Sequence, residues 1–124
     1  MVLKSILLVF LGGGFGSALR YLVSKSLHTS ASIPYGTFLV NIIGSLIIGI
    51  VLGWALKSHA ISQNTVLFLA TGFCGGFTTF SAFSFENYEL LKAGDYTTFG
   101  IYAFGSILIG ILAIIAGVSL SKLF

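Results

Sequence analysis

The stretch GFCGGFTTFSAF, residues 72–83, interrupts an apolar run long enough to cross a membrane. Gly72, Gly75 and Gly76 are each less favourable in a helix than alanine by about 1 kcal/mol. Together with Thr78 and Thr79 they predict a break near the bilayer midplane. A break frees carbonyls and amides that lipid cannot satisfy, so they must face protein, water or an ion. Freed carbonyls suit a hard cation such as Na⁺. Phe80 and Phe83 follow three residues apart, hence on one helix face. Such rings either pack as apolar groups or turn their positive edges toward an anion, and the spacing is compatible with both.

Few other polar side chains lie within apolar runs. Asn41 sits about one turn inside the second run, where it serves as interhelical glue or lines a wet cavity. Arg20 lies near the end of the first run, a place from which arginine commonly snorkels to the interface. All three acidic residues, Glu86, Glu89 and Asp95, fall in a predicted connection over 86–98. No carboxylate is therefore expected in a span, which argues against proton-coupled cation transport. His28 and His59 belong to predicted loops as interfacial or solvated groups. No metal or triad spacing appears, so an enzyme is not expected. Cys74 is the only cysteine and supports no intrachain disulfide; it reads as a small buried residue.

The elements that must hold these residues follow from composition. The chain is 56% hydrophobic and 7% charged, whereas a soluble domain carries about 25% charged residues. It has too few charges to coat a water-facing surface. Apolar runs without period-2 alternation predict an all-α membrane protein, one domain over 1–124. Its four transmembrane helices lie at about 2–23, 36–56, 65–86 and 98–120, each near the ~20 residues a span needs. The first run has a basic start and a small-residue end, as a cleavable signal peptide does. Cleavage there would remove the cluster Gly12-Gly13-Gly14, which is suited to helix contact, so the run is read as a retained helix.

The net charge is +3, but the cations are dispersed with no basic patch, so nucleic acid is not an expected partner. Lys4, Lys57 and Lys122 fall on one side of a four-span chain, and Arg20, Lys25 and Lys92 on the other. Lys and Arg bias set orientation, and three against three predicts insertion in both senses. Oppositely inserted copies can pair about a two-fold axis in the membrane plane. Small residues recur at helical spacing: Gly12 and Gly16; Gly44, Ser45, Gly49 and Gly53; Gly105, Ser106, Ala113 and Gly117. These stripes offer faces for such pairing or for contact within one chain.

Three motifs in order, GGGFGSALRY (12–21), YGTFLVN (35–41) with Gly44, and GFCGGFTTFSAF (72–83) followed by Glu86, resemble those of the Fluc (CrcB-type) fluoride channels. The resemblance covers all four helices, and the third motif is the most specific. It implies an antiparallel, dual-topology homodimer in the bacterial inner (plasma) membrane, with two fluoride pores and a structural Na⁺ at the dimer interface. It implies passive export of cytoplasmic fluoride, conferring fluoride resistance. By motif position Asn41 is the pore asparagine, and Phe80 and Phe83 are the rings met by fluoride. The carbonyls of Gly75 and Thr78 would hold Na⁺. Arg20 and Glu86 would lie at a vestibule, and Thr37 and Ser81 along a polar track. Tyr102 and Ser106 would line the pore from a helix with a weaker motif. Ala82 stands where relatives commonly have Thr, which would shorten that track. Two rivals remain: a small dual-topology multidrug-type transporter, which needs a carboxylate in the first helix, and a non-transporting membrane subunit.

Overall fold

The computed structural model describes residues 1–27, 33–57 and 61–124; His28 and His59 lie outside them. Helix α1 spans Val2–Ser26 and α2 spans Tyr35–Ala55. The third apolar segment runs as α3 (Gln63–Val66), a π-helix (Leu67–Cys74) and α4 (Gly75–Phe77), then breaks and restarts as α5 (Phe80–Lys92). Helix α6 spans Tyr96–Ser121. Four segments, with the third taken as Gln63–Lys92, are long and apolar enough to cross a membrane. The outer faces of α1 and α6 are apolar and open: Phe10, Phe15, Ile101 and Phe104 are all more than 60% exposed. A face of that kind suits lipid.

The chain forms two parallel pairs. Gly12 of α1 lies against the Phe68 carbonyl, and Gly16 lies against the backbone of Phe73 and Phe77. Positions on both segments increase together, so α1 runs parallel to the third segment. On the other side Ser45, Gly49 and Gly53 of α2 meet Gly110, Ile114 and Ser121 of α6 in the same ascending order. Gly12, Gly16, Gly49, Gly53 and Gly117 are thus occupied within one chain. These glycines are not free to pair with a second copy, because helices that touch backbone to backbone leave no room for one.

The third segment departs from the expected boundaries. It was expected to end near residue 86, yet α5 continues to Lys92. Apolarity marks how far a helix lies in lipid, whereas hydrogen bonding decides where it stops. The true stop is Ala93-Gly94-Asp95. Gly94 has φ +76°, a conformation that glycine adopts without Cβ strain. Asp95 N–H bonds the Leu90 carbonyl at 2.9 Å and Gly94 N–H bonds that of Leu91 at 3.0 Å, a closed helix end of the Schellman kind. Asp95 then caps α6 by accepting from Thr98 N–H at 3.2 Å. Glu86 and Glu89 therefore belong to a helix, not to a loop.

At the opposite end Lys57 Nζ donates to the main-chain oxygens of Ser121 (3.1 Å) and Phe124 (3.2 Å). The Trp54 and Phe124 rings meet edge-on, centroids 5.7 Å apart. The end of α2 and the end of α6 therefore share one side, as four spans require.

Gly14 and Gly16 allow a test of the α1 contact. A Cβ on Gly14 would meet nothing within 4 Å, whereas one on Gly16 would enter the Phe73 carbonyl and lie 2.8 Å from Phe77 N. Gly16→Ala is expected to cost about 1–3 kcal/mol through overpacking. Gly14→Ala should be neutral or gain up to about 1 kcal/mol. Thermal unfolding in detergent checks this, and equal midpoints for the two variants would contradict the packing described.

Candidate functional site

The break falls on the two threonines, while Gly72, Gly75 and Gly76 stay helical. Two of those glycines serve contact instead: a Cβ on Gly72 would meet Gly12 Cα at 3.1 Å, and one on Gly76 would meet the backbone of Gly13. Thr78 (φ −90°, ψ 161°) and Thr79 (φ −151°, ψ 121°) are extended, a conformation that suits β-branched residues. Thr78 Oγ1 donates to the Cys74 carbonyl at 2.7 Å and closes the incoming helix. Thr79 Oγ1 accepts from Ala82 N–H at 3.1 Å and caps the outgoing one.

Asn41 holds the break from α2. Its Oδ1 accepts from Thr79 N–H at 2.8 Å, and its Nδ2 donates to the Thr79 carbonyl at 3.2 Å. A primary amide matches a peptide group in this way because it offers both an acceptor and a donor. Both ends are engaged, and one Nδ2 hydrogen remains for another acceptor. Arg20 is half-buried and does not simply snorkel: its Nε donates to the Gly76 carbonyl at 2.9 Å. Among the described residues no hydrogen bond ends on the carbonyl of Gly75 or Thr78. Gly75 is exposed, with open space where a Cβ would stand.

Phe80 begins α5 and is 79% exposed; Phe83 is half-buried. Their ring centroids lie 6.1 Å apart, and Phe83 leans on Tyr102 at 5.2 Å. Ser81 is exposed, its hydroxyl 3.2 Å from that of Thr79. A groove of about 510 Å³ runs along this face, lined by Asn41, Ser45, Thr79, Phe80, Phe83 and Ser106 among others. Ser106 Oγ is buried and has no hydrogen-bond partner.

Glu86 joins two residues that the sequence placed on separate helices. Its Oε2 accepts from Thr37 Oγ1 at 2.6 Å and its Oε1 from Tyr102 OH at 2.7 Å. Both hydroxyls donate, so their hydrogens are directed at Glu86. Thr37 and Tyr102 are buried. The expectation that Glu86 lies in a connection is corrected here, because α5 carries it within the span-capable segment Gln63–Lys92. The residue was visible in the sequence; the helix that carries it inward was not. Next to it Asn87 is buried and donates to the Phe83 carbonyl at 2.9 Å, a role that nothing in its sequence context signalled.

The bracket between Asn41 and Thr79 has a measurable weight. Asn41→Leu keeps the approximate volume but leaves Thr79 N–H and C=O without partners, at about 1–3 kcal/mol each. The variant should unfold at markedly lower temperature in detergent, whereas Ser81→Ala, at an exposed hydroxyl, should change little. An unchanged midpoint for Asn41→Leu would show that the break is held by other means.

Comparison with known proteins identifies the family. A family model described as CrcB-like protein, Camphor Resistance (CrcB), matches residues 7–118. The chain is similar to a protein of Phocaeicola vulgatus, 46% identical over 97% of this chain and 100% of the relative. A protein of Azobacteroides pseudotrichonymphae is 45% identical over 99% and 100%. One of Gloeothece citriformis is 50% identical over 94% and 96%. Each of the three is named a fluoride-specific ion channel, FluC. With its broken third segment, its bracketing asparagine and a match across nearly its whole length, the chain belongs to the CrcB-like family.

Proposed function

We propose that this protein is a passive, fluoride-selective channel that works as an antiparallel homodimer in a bacterial inner membrane and exports cytoplasmic fluoride. The observation that carries the reading is the groove in which the broken backbone, the Phe80 and Phe83 rings and several hydroxyls meet. The names of the relatives support the choice of ion.

Fluoride is small and strongly hydrated, so a path for it must replace its water shell. Ring edges carry partial positive charge and attract an anion without trapping it as a full cation would. Ser81, Ser106 and the free Nδ2 hydrogen of Asn41 supply donors. Thr37 and Tyr102 contribute differently: their hydrogens are directed at Glu86, so they act on the path by fixing that carboxylate. A negative-inside potential drives an anion outward by about 2.3 kcal/mol per 100 mV, so export needs no coupling ion. Fluoride enters cells as the neutral acid and loses its proton inside, so passive exit of the anion confers fluoride resistance. A multidrug-type transporter would need an acid in α1, which has none.

Exposure at the break supports a second copy. Phe80 and Gly75 are open at the break, and lipid offers no donor or cation to the free carbonyls there. The free carbonyls of Gly75 and Thr78 fit a hard cation, which prefers oxygen ligands. Two copies facing each other would present both pairs to one Na⁺, and the ion would supply the positive charge that fixes the breaks to each other. Arg20, committed to Gly76 through Nε, sits beside this point and adds positive charge near the path.

The ring-edge role is tested by Phe80→Ile and Phe83→Ile in liposomes, with fluoride efflux normalised to protein by gel filtration. Both keep apolar bulk, so a packing role predicts about 1–3 kcal/mol of lost stability and near-normal transport. The proposal expects efflux reduced by an order of magnitude or more (~1.4 kcal/mol per tenfold). Wild-type efflux in both variants would reject it, and no fluoride efflux from the parent protein would leave the non-transporting subunit.

Dual insertion is tested by a cysteine placed near the C-terminus and labelled from each side of the membrane, with Cys74, which is buried, replaced by alanine. Two populations of comparable size are expected from the three-to-three balance of Lys and Arg. A single protected population would contradict it.

A further inference from the structure

We infer that Ser45 of α2 is a further donor to the anion, a hydroxyl one turn beyond Asn41 that extends the path along the groove toward Ser106. The inference rests on the channel reading above and adds a residue to it.

Serine within a helix usually turns its hydroxyl back onto a carbonyl of the preceding turn. Three serines of this chain do so: Ser17 onto Gly13 at 2.5 Å, Ser26 onto Leu22 at 2.8 Å and Ser121 onto Val118 at 2.6 Å. Thr78 does the same onto Cys74 at 2.7 Å. Ser45 and Ser106 do not, nor do Ser5, Ser24, Ser84 and Ser119; of these six, Ser45 and Ser106 are the two that line the groove. Among the described residues neither hydroxyl has a partner, and that of Ser106 is buried. Both line the groove that holds Asn41, Thr79, Phe80 and Phe83. Ser106 Oγ, buried without a partner, is held there at a loss of stability, and an anion in the groove would supply the missing partner to it and to the half-buried Ser45. Fluoride accepts hydrogen bonds and does not donate them, and a hydroxyl hydrogen rotates freely to meet it.

The position of Ser45 is set by α6. A Cβ built on Gly110 would meet only Ser45 Oγ, at 3.9 Å. Glycine at 110 therefore keeps space open opposite the hydroxyl, although the helices touch closely one turn further on, where a Cβ on Gly49 would lie 3.1 Å from Ile114 Cα. By sequence alone Ser45 belongs to a stripe of small residues. Its hydroxyl in the groove distinguishes it from Gly49 and Gly53 of that stripe, which pack against α6.

The same spacing supplies a test that a packing role would not satisfy, because the hydroxyl can be moved across the groove. Fluoride efflux is measured from liposomes holding wild type, Ser45→Ala, Ser17→Ala and the double variant Ser45→Ala with Gly110→Ser. Loss of one donor should slow Ser45→Ala by about tenfold, the effect of one hydrogen bond. Ser17→Ala should run as wild type, since its hydroxyl is committed to its own helix. The double variant should recover most of the lost rate, because Gly110→Ser offers a hydroxyl to the same space. Wild-type efflux from Ser45→Ala, or a double variant as slow as Ser45→Ala, would overturn the role of Ser45. A wild-type protein that carries no fluoride would instead overturn the channel reading beneath it.

Discussion

Two hydrogen bonds, from Thr79 N–H to Asn41 Oδ1 at 2.8 Å and from Asn41 Nδ2 to the Thr79 carbonyl at 3.2 Å, let an apolar segment stop midway and begin again. An unpaired peptide group away from water loses the hydrogen bonds that water would have given it. One asparagine on a neighbouring helix removes that penalty for the whole of Thr79. The rest of the site depends on this pairing. With Thr79 extended, its hydroxyl is free to cap α5, and the cap fixes where Phe80 and Phe83 start their turn. The carbonyls just before the break lose their helical partners, and Arg20 takes that of Gly76.

The close approach of α1 makes that arrangement possible. The π-helix Leu67–Cys74 is wider than an α-helix and holds its backbone against Gly12 and Gly16. Rows of glycine keep the segment in close backbone contact with α1 up to the threonines. The glycines thus do not loosen the helix where it breaks. They place it, and the threonines break it. A π turn inside a longer helix recurs at functional sites, and here it ends one short α turn before the extended residues.

A second polar group sits further along α5. Glu86 gathers Thr37 from α2 and Tyr102 from α6, so one carboxylate ties three helices at a point where apolar contact alone would permit sliding. Both bonds are short, at 2.6 and 2.7 Å. Phe83 rests on Tyr102, and Asn87 holds the Phe83 carbonyl. The ring thus contacts Tyr102 while its main chain is held by Asn87, and the aromatic pair adjoins the carboxylate cluster.

What the sequence determined by itself is what depends on neighbouring residues. Length and apolarity marked four spans, because a helix in lipid satisfies its backbone locally. The run from Gly72 to Phe83 announced an interruption, and three ordered motifs indicated the family. Tertiary structure decided the matters that turn on distant partners. Asn41 and Thr79 are 38 residues apart, Thr37 and Glu86 49, and Arg20 and Gly76 56. No local pattern shows which donor meets which acceptor across such separations. For that reason the stripes at Gly12, Gly16, Gly49 and Gly117 read equally as faces for a second copy, and only the fold assigned them to contacts within one chain. Glu86 likewise read as a loop residue, because composition registers the end of an apolar run and not the end of a helix. The serines are a further case. Ser17, Ser45 and Ser106 are alike in sequence, and only the fold shows that the first bonds its own helix while the other two line the groove, because the groove is made by residues distant in the chain.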